Sequence, residues 1–328
     1  MIPSDAGGYF RDRRFVMGYK YGRKTPSNKP AIRFGDILTD VAVTIPTQED
    51  YLRKFTGWQM LGNDQYGDCV AVATANAVAL VTTVLGNSTV YPSQSQVYEF
   101  YKSQNPLFPD DDYGMDIQTA LAYLVKTGIG GKKALGFAKV NVASHQEIKA
   151  ALAIFGFGIL GVNVQSVNQD QFNHGTPWDY DARAAADGGH GILAGGYDSD
   201  NTGGDVTFIT WGSETSFTDA FWQHQVEEFW VVIFEEHLGT TQFLEGINVA
   251  TLASEYKTLT GRDFPVAVPT PPAPAPTPAP KPIPDPIPVP VPTPTPVPAP
   301  PVVGPSPTPV PLPKHLSWWR RFLLWLSE

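Results

Sequence analysis

Cys69 is the sole cysteine of the 328-residue chain, and its setting suits a nucleophile. It stands in LGNDQYGDCVAVATANAVAL, where a Gly-Asp turn leads into an uncharged, mostly apolar run from Val70 to Leu85. Asp68 is a suitable N-cap residue, so the pattern predicts a helix that begins at Cys69. A thiol at that position lies at the positive end of the helix, where unpaired N–H groups and the macrodipole favour the nucleophilic thiolate. Such a nucleophile needs a base that holds it as an ion pair and later protonates the leaving group. Histidines stand at 145, 174, 190, 224, 237 and 315. Only His190 opens an apolar, glycine-punctuated run, GGHGILAGGYDSD, which reads as a strand ending in a turn. His174, in FNHGTPWDYD, is the second choice, and its Gly, Pro and Asp neighbours predict a loop.

The elements that would bring these two residues together follow from the chain between and after them. SHQEIKAALAIFGFGILGVNV reads as a polar-capped helix feeding an apolar strand, and DVTFITWGSETSF as a further strand. Residues 240–264, including INVATLASEYKTLTGRDF, are expected to add a closing helix.

The surroundings of Cys69 and His190 resemble the papain-like cysteine peptidases, especially divergent bacterial and phage members. In that family a polar residue six positions before the nucleophile donates to the oxyanion hole; Asn63 holds that position, and Gln65, four before, is the second candidate. The family histidine begins a strand of the form H-x-hydrophobic-x-x-x-G-Y, which His190 to Tyr197 match. YPSQSQVYEFYKSQ and GMDIQTALAYLVKTGIGG look like the second and third helices. DVTFITWGSETSF resembles the strand that ends in Asn-Ser-Trp-Gly: Trp211 and Gly212 are present, but Ile209 stands in the asparagine's column. Thr210 can orient the histidine if the register slips by one, and Asp198 or Asp200 only by folding back.

The resemblance implies an α+β, two-lobed fold over residues 42–264, a helical lobe beside an antiparallel β lobe with the cleft between them. It implies a catalytic set of Cys69, His190, Asn63 and Thr210, with substrate contacts from Gln65, Gly67, Gly189 and Trp211, and no metal or cofactor. The expected reaction is acyl transfer from a peptide or isopeptide to Cys69 and then to water. Two alternatives stay open: a phage-type cysteine endopeptidase or amidase cleaving peptidoglycan peptides, and an inactive scaffold or virion component. The second is suggested by the missing Asn and by Val70, where the family has Trp.

Composition suits one soluble body followed by something different. The chain is 42% hydrophobic and 12% aromatic, enough for one core over residues 42–264, and a single cysteine excludes an internal disulfide. Residues 1–41 form a basic arm: the first 33 carry eight Lys or Arg against Asp5 and Asp12, although the whole chain is formally −9. No groove-reading motif accompanies the charge, so an arm lying on an acidic body is expected rather than a nucleic-acid site. MIPSDAGGYFRDRRF lacks the apolar stretch of a secretory leader, which points to a cytoplasmic or virion-associated protein, or one peripheral to a membrane.

Residues 265–313 hold 24 of the 32 prolines. Proline lacks the N–H donor and fixes φ, so this run predicts an extended spacer of up to roughly 150 Å. The final residues, HLSWWRRFLLWLSE in 314–328, predict an amphipathic helix with Leu316, Trp319, Phe322, Leu323 and Leu326 on one face. It is too short to span a bilayer. A membrane surface, a protein groove and back-docking onto the body are its expected partners.

Overall fold

The structure is a computed structural model that describes residues 19–27, 29–39, 45–198 and 206–265. Contacts group the chain into a unit of residues 1–272 and a second of residues 273–328. The spacer and the terminal helix expected from the sequence lie outside the described residues.

Among the described residues there are eight α-helices and one antiparallel sheet of seven strands. The longest helix, α1 (Cys69–Val84), is buried from Cys69 to Thr82. A helix apolar on every face has to be enclosed on every face, and Ala and Val dominate it so that neighbours can approach closely. Its buried polar side chains have partners: Thr74 and Thr82 donate back to the carbonyls of Val70 and Val78, and Asn76 Oδ1 accepts the Tyr91 hydroxyl at 2.6 Å. Two shorter helices complete this lobe. In α2 (Gln94–Tyr101) Ser93 and Gln96 form a reciprocal capping box, and in α3 (Ile117–Lys126) Asp116 accepts the Thr119 N–H at 2.7 Å.

The sheet is built from β1 (Gln48–Asp50), β2 (Gly136–Val140), β3 (Gly158–Gln165), β4 (Ala186–Asp198), β5 (Val206–Thr210), β6 (Ser213–Phe217) and β7 (Val226–Ile233). Their order is β2-β7-β3-β4-β5-β6, with β1 paired to one end of β4. Side-chain alternation along the strands divides the core. Ile159, Leu193, Ile209, Trp230 and Val232 face the α1 lobe, while their neighbours Leu160, Ile192, Phe208, Phe229 and Val231 face the other side. That second side is covered by α4 (His145–Phe155), α6 (Asp219–Gln225), α7 (Thr241–Gly246) and α8 (Val249–Thr260), all Ser-, Thr- or Asn-capped. The remaining short helix is α5 (Asn168–Asn173).

Three expectations need correction. The closing segment is two helices, α7 and α8, because Ile247 is extended between them (φ −110°, ψ 124°). Asp68 precedes α1 without capping it: its side chain makes no cap hydrogen bond, and both carboxylate oxygens are buried without a partner. The N-terminal arm is not a separate piece ending at residue 41. Ile32, Phe34 and Ile37 belong to the core, and the chain there pairs with β2 through Phe34 N–H to Lys139 O (2.8 Å) and Lys139 N–H to Ile32 O (2.8 Å). Apolar side chains at that spacing bury more surface in the body than an arm on its outside would.

Candidate functional site

The amino end of α1 abuts β4. The Gly191 N–H donates to Cys69 Sγ at 3.3 Å, and a Cβ on Gly191 would lie 2.8 Å from Val70 Cγ2. His190 is the residue before Gly191, so it stands one position along the strand from the amide that meets the sulfur, and the strand's glycine there has no side chain to hold the helix away. His190 Nε2 lies 2.7 Å from Thr210 Oγ1. Nδ1 is buried and has no hydrogen-bond partner. Strand alternation explains why Thr210 meets the imidazole and Ile209 does not. His190 shares a face with Ile192, and Thr210 with Phe208, whereas Ile209 points to the α1 lobe.

Trp211 covers this pair. Its ring centroid is 5.0 Å from that of His190, its neighbours are Trp178 and Phe172, and it adopts a positive φ of 45° in the turn between β5 and β6. The aromatic lid removes water from the His190–Thr210 hydrogen bond.

Residues 19–24 run across the same place. The Gly22 and Arg23 N–H groups both donate to Gly189 O, at 3.0 and 2.8 Å. On the opposite wall Met115 N–H donates to Gly22 O at 2.6 Å and Lys24 N–H to Met115 O at 2.8 Å. Tyr19 stacks on Trp211 at 4.2 Å, and Tyr21 meets His190 edge-on at 5.5 Å. The fit needs a glycine at 22, since a Cβ there would stand 1.8 Å from the Gly67 carbonyl oxygen.

This cover sets the electrostatics. Cys69 is 1% exposed and His190 is fully buried. Burial pushes the Cys69 thiol up to about 12, against the Gly191 and Gly22 amides and Arg23, which favour the thiolate. Burial, and then the positive charge of Arg23, pulls His190 down to about 3. With the segment seated, thiol and imidazole are both neutral around pH 7. Burial also holds the Asp68 carboxyl well above the usual carboxylate range.

The other residues singled out in the sequence divide clearly. Asn63 is buried; its Nδ2 donates to Lys20 O (3.3 Å) and Tyr66 O (3.0 Å), and its backbone carbonyl accepts the Lys20 N–H (3.2 Å). Gly67 and Gly189 touch the covering segment directly. Gln65 is exposed on the turn before them. His174 is exposed, with Nδ1 2.6 Å from Asp170 O, and is not part of the site. His237 is buried, accepting the Phe234 N–H at 3.0 Å and lying 3.1 Å from Phe155 O, a structural role. Asp198 sits eight residues along β4 from His190, a separation of roughly 26 Å in an extended strand, and pairs with Gln48. Asp200 lies outside the described residues. Arg23, Glu227 and Glu228 carry no sequence signal as a site: the arm has no periodicity, and nothing in the composition of QVEEFWVVIF marks its two acids as a pocket.

No protein-family model matches the sequence, and no curated protein sequence does. Solved structures do. Xylellain, a cysteine protease from Xylella fastidiosa, is 16% identical, with a TM-score of 0.53 over 66% of this chain and 96% of that one. A procathepsin B from Trypanosoma congolense is 13% identical over 66% and 86% of the two chains, with a TM-score of 0.49. At these identities the likeness to xylellain concerns architecture. The chain has the α+β, two-lobed fold of the papain-like cysteine proteases.

Proposed function

We propose that the protein is a cysteine peptidase that hydrolyses a peptide or isopeptide bond with Cys69 as nucleophile and His190 as base. The observation that carries this reading is the packing of the α1 tip on β4, with Gly191 N–H on the sulfur and His190, one residue earlier on that strand, held by Thr210. In this mechanism Nε2 carries the proton shared with the Thr210 hydroxyl, 2.7 Å away, and the unpartnered Nδ1 is the nitrogen that exchanges a proton with the thiol. Once the cleft is open, the Cys69 proton passes to His190 and the thiolate attacks the substrate carbonyl carbon. Asn63 Nδ2 and the Cys69 N–H hold the developing oxyanion. The carbon–nitrogen bond breaks as His190 protonates the amine, leaving a thioester. A water molecule, giving its proton to His190, then releases the acid and restores the thiol.

Residues 19–24 occupy the cleft in the manner of a bound peptide, so the form described here is a latent one. Gln65 and Trp211 border the path of a substrate that replaces this segment. The proline-rich run would tether the body to a membrane surface or a protein groove through the amphipathic face of residues 314–328.

A peptidyl epoxide incubated with arm-released protein, such as the Gly22→Leu chain treated in the Discussion, tests the proposal. Labelling of Cys69 to one equivalent, with loss of at least about a hundredfold in rate when His190→Ala is added, is expected. Slow labelling that is the same with and without His190 would leave a scaffold with a buried thiol.

A further inference from the structure

The segment across the cleft inserts one side chain into the body. Arg23 is charged, yet its side chain is only 1% exposed, in a pocket between β3 and β7. One guanidinium nitrogen lies 2.6 Å from Glu227 Oε2 and donates to Asn163 Oδ1 at 2.8 Å. The other lies 3.3 Å from Glu228 Oε1 and donates to the Lys24 carbonyl at 3.2 Å. Both acids are braced from behind: Trp230 Nε1 donates to Glu228 Oε2 at 2.6 Å, and Asn163 Nδ2 to Glu227 Oε1 at 2.7 Å.

Two features make this a site for a guanidinium rather than an incidental ion pair. Glu228 is fully buried with the segment seated, and a buried carboxylate without a cation is costly, so the enclosed pocket favours a positive group inside. Its walls are cut away to admit one: a Cβ on Gly161 would approach Arg23 Cδ to 2.6 Å, and one on Gly189 would come within 2.3 Å of the Arg23 carbonyl oxygen. Two acids face one guanidinium, a surplus of negative charge that disfavours an apolar occupant. The planar fork of arginine reaches both acids and Asn163 together, which the single ammonium of lysine cannot do.

The backbone that carries Arg23 is bound as an extended peptide, paired with Gly189 on one wall and Met115 on the other, with the adjacent Gly22 amide at the sulfur. We propose that this pocket selects the substrate: peptides with arginine within two residues of the scissile bond, for which Arg23 of the same chain is the resident stand-in. The proposal rests on the peptidase reading above for the word substrate, and on the pocket alone for the preference.

The two parts separate experimentally. A fluorescein-labelled peptide of residues 19–27, YKYGRKTPS, and its analogue with leucine at the arginine position are titrated against the full chain carrying Gly22→Leu and Cys69→Ala, with anisotropy as readout. Arg23→Ala in place of Gly22→Leu provides a second acceptor. The arginine peptide should bind about thirtyfold more tightly, in line with loss of charged hydrogen bonds, and Glu228→Gln should bring the ratio towards one. Equal binding of the two peptides overturns the proposal. Fluorogenic amides with arginine or leucine at each of the two positions before the bond, given to the chain with Cys69 intact, should show the same preference in kcat/KM. Cleavage of both series at equal rates would remove the arginine proposal and leave the peptidase. Selective binding of the arginine peptide with no cleavage of any amide would keep the pocket and remove the peptidase.

Discussion

Replacing Gly22 with leucine should raise the rate at which iodoacetamide alkylates Cys69 at pH 7 by about three orders of magnitude. The reason is steric first. A Cβ at position 22 would stand 1.8 Å from the Gly67 carbonyl oxygen, a backbone atom that has no rotamer to yield, so the segment cannot seat. It is electrostatic second. The buried thiol, now at about 12, would return to the solvent-exposed range near 8.5 or below, and the thiolate fraction at pH 7 grows by about the same factor of a thousand. The variant should keep its fold, because Ile32, Phe34 and Ile37 anchor the next stretch of chain in the core independently of residues 19–24. Alkylation is followed by mass spectrometry of the Cys69 peptide beside a thermal melt. A cooperative melt with unchanged labelling would mean that something other than this segment encloses the sulfur.

The second large effect concerns Asn63. In the arm-released chain, Asn63→Ala should lower kcat on a peptide amide by about a hundred- to a thousandfold with little change in KM, the usual consequence of removing one donor from an oxyanion site. Its amide nitrogen already donates to a carbonyl of the covering chain, Lys20 O, which is the type of group it would meet in a substrate. Gln65→Ala should leave kcat within a few-fold, since Gln65 is exposed on the turn. The reverse result, a large loss at Gln65 and none at Asn63, would move the donor two residues along the loop. Asn63 also ties the loop to Tyr66 O, so a melt on each variant separates catalysis from loop stability.

Much of the path from sequence to site was readable, for physical reasons that differ from element to element. The start of α1 at Cys69 follows from an apolar run after a turn, and a helix apolar all round can only be central. The strand carrying His190 follows from its alternating apolar core and glycines. Thr210 needed coordinates: whether 209 or 210 faces the imidazole depends on how the strand enters the turn at Trp211 and Gly212, both with positive φ. Asp68 has the residue type of a cap, but its side chain is turned into the protein. The covering segment was illegible because its conformation comes from partners about 40 to 205 positions away, such as Asn63, Met115, Gly189, Glu227 and Glu228, and from no local pattern. Local propensity says little about an extended segment whose backbone hydrogen bonds are long-range.

The pH dependence of Cys69 alkylation in the arm-released chain, with and without His190, tests the sulfur–imidazole pairing most directly. In the intact chain the thiol is raised to about 12 and the imidazole lowered to about 3, so both stay neutral between those values and labelling stays slow throughout that window. With the segment displaced, an ion pair lowers the thiol and raises the imidazole, and labelling should rise through a midpoint below about 7. His190→Ala should move that midpoint up to about 8 or 9. Identical profiles in the two proteins would contradict a shared proton between Cys69 and His190.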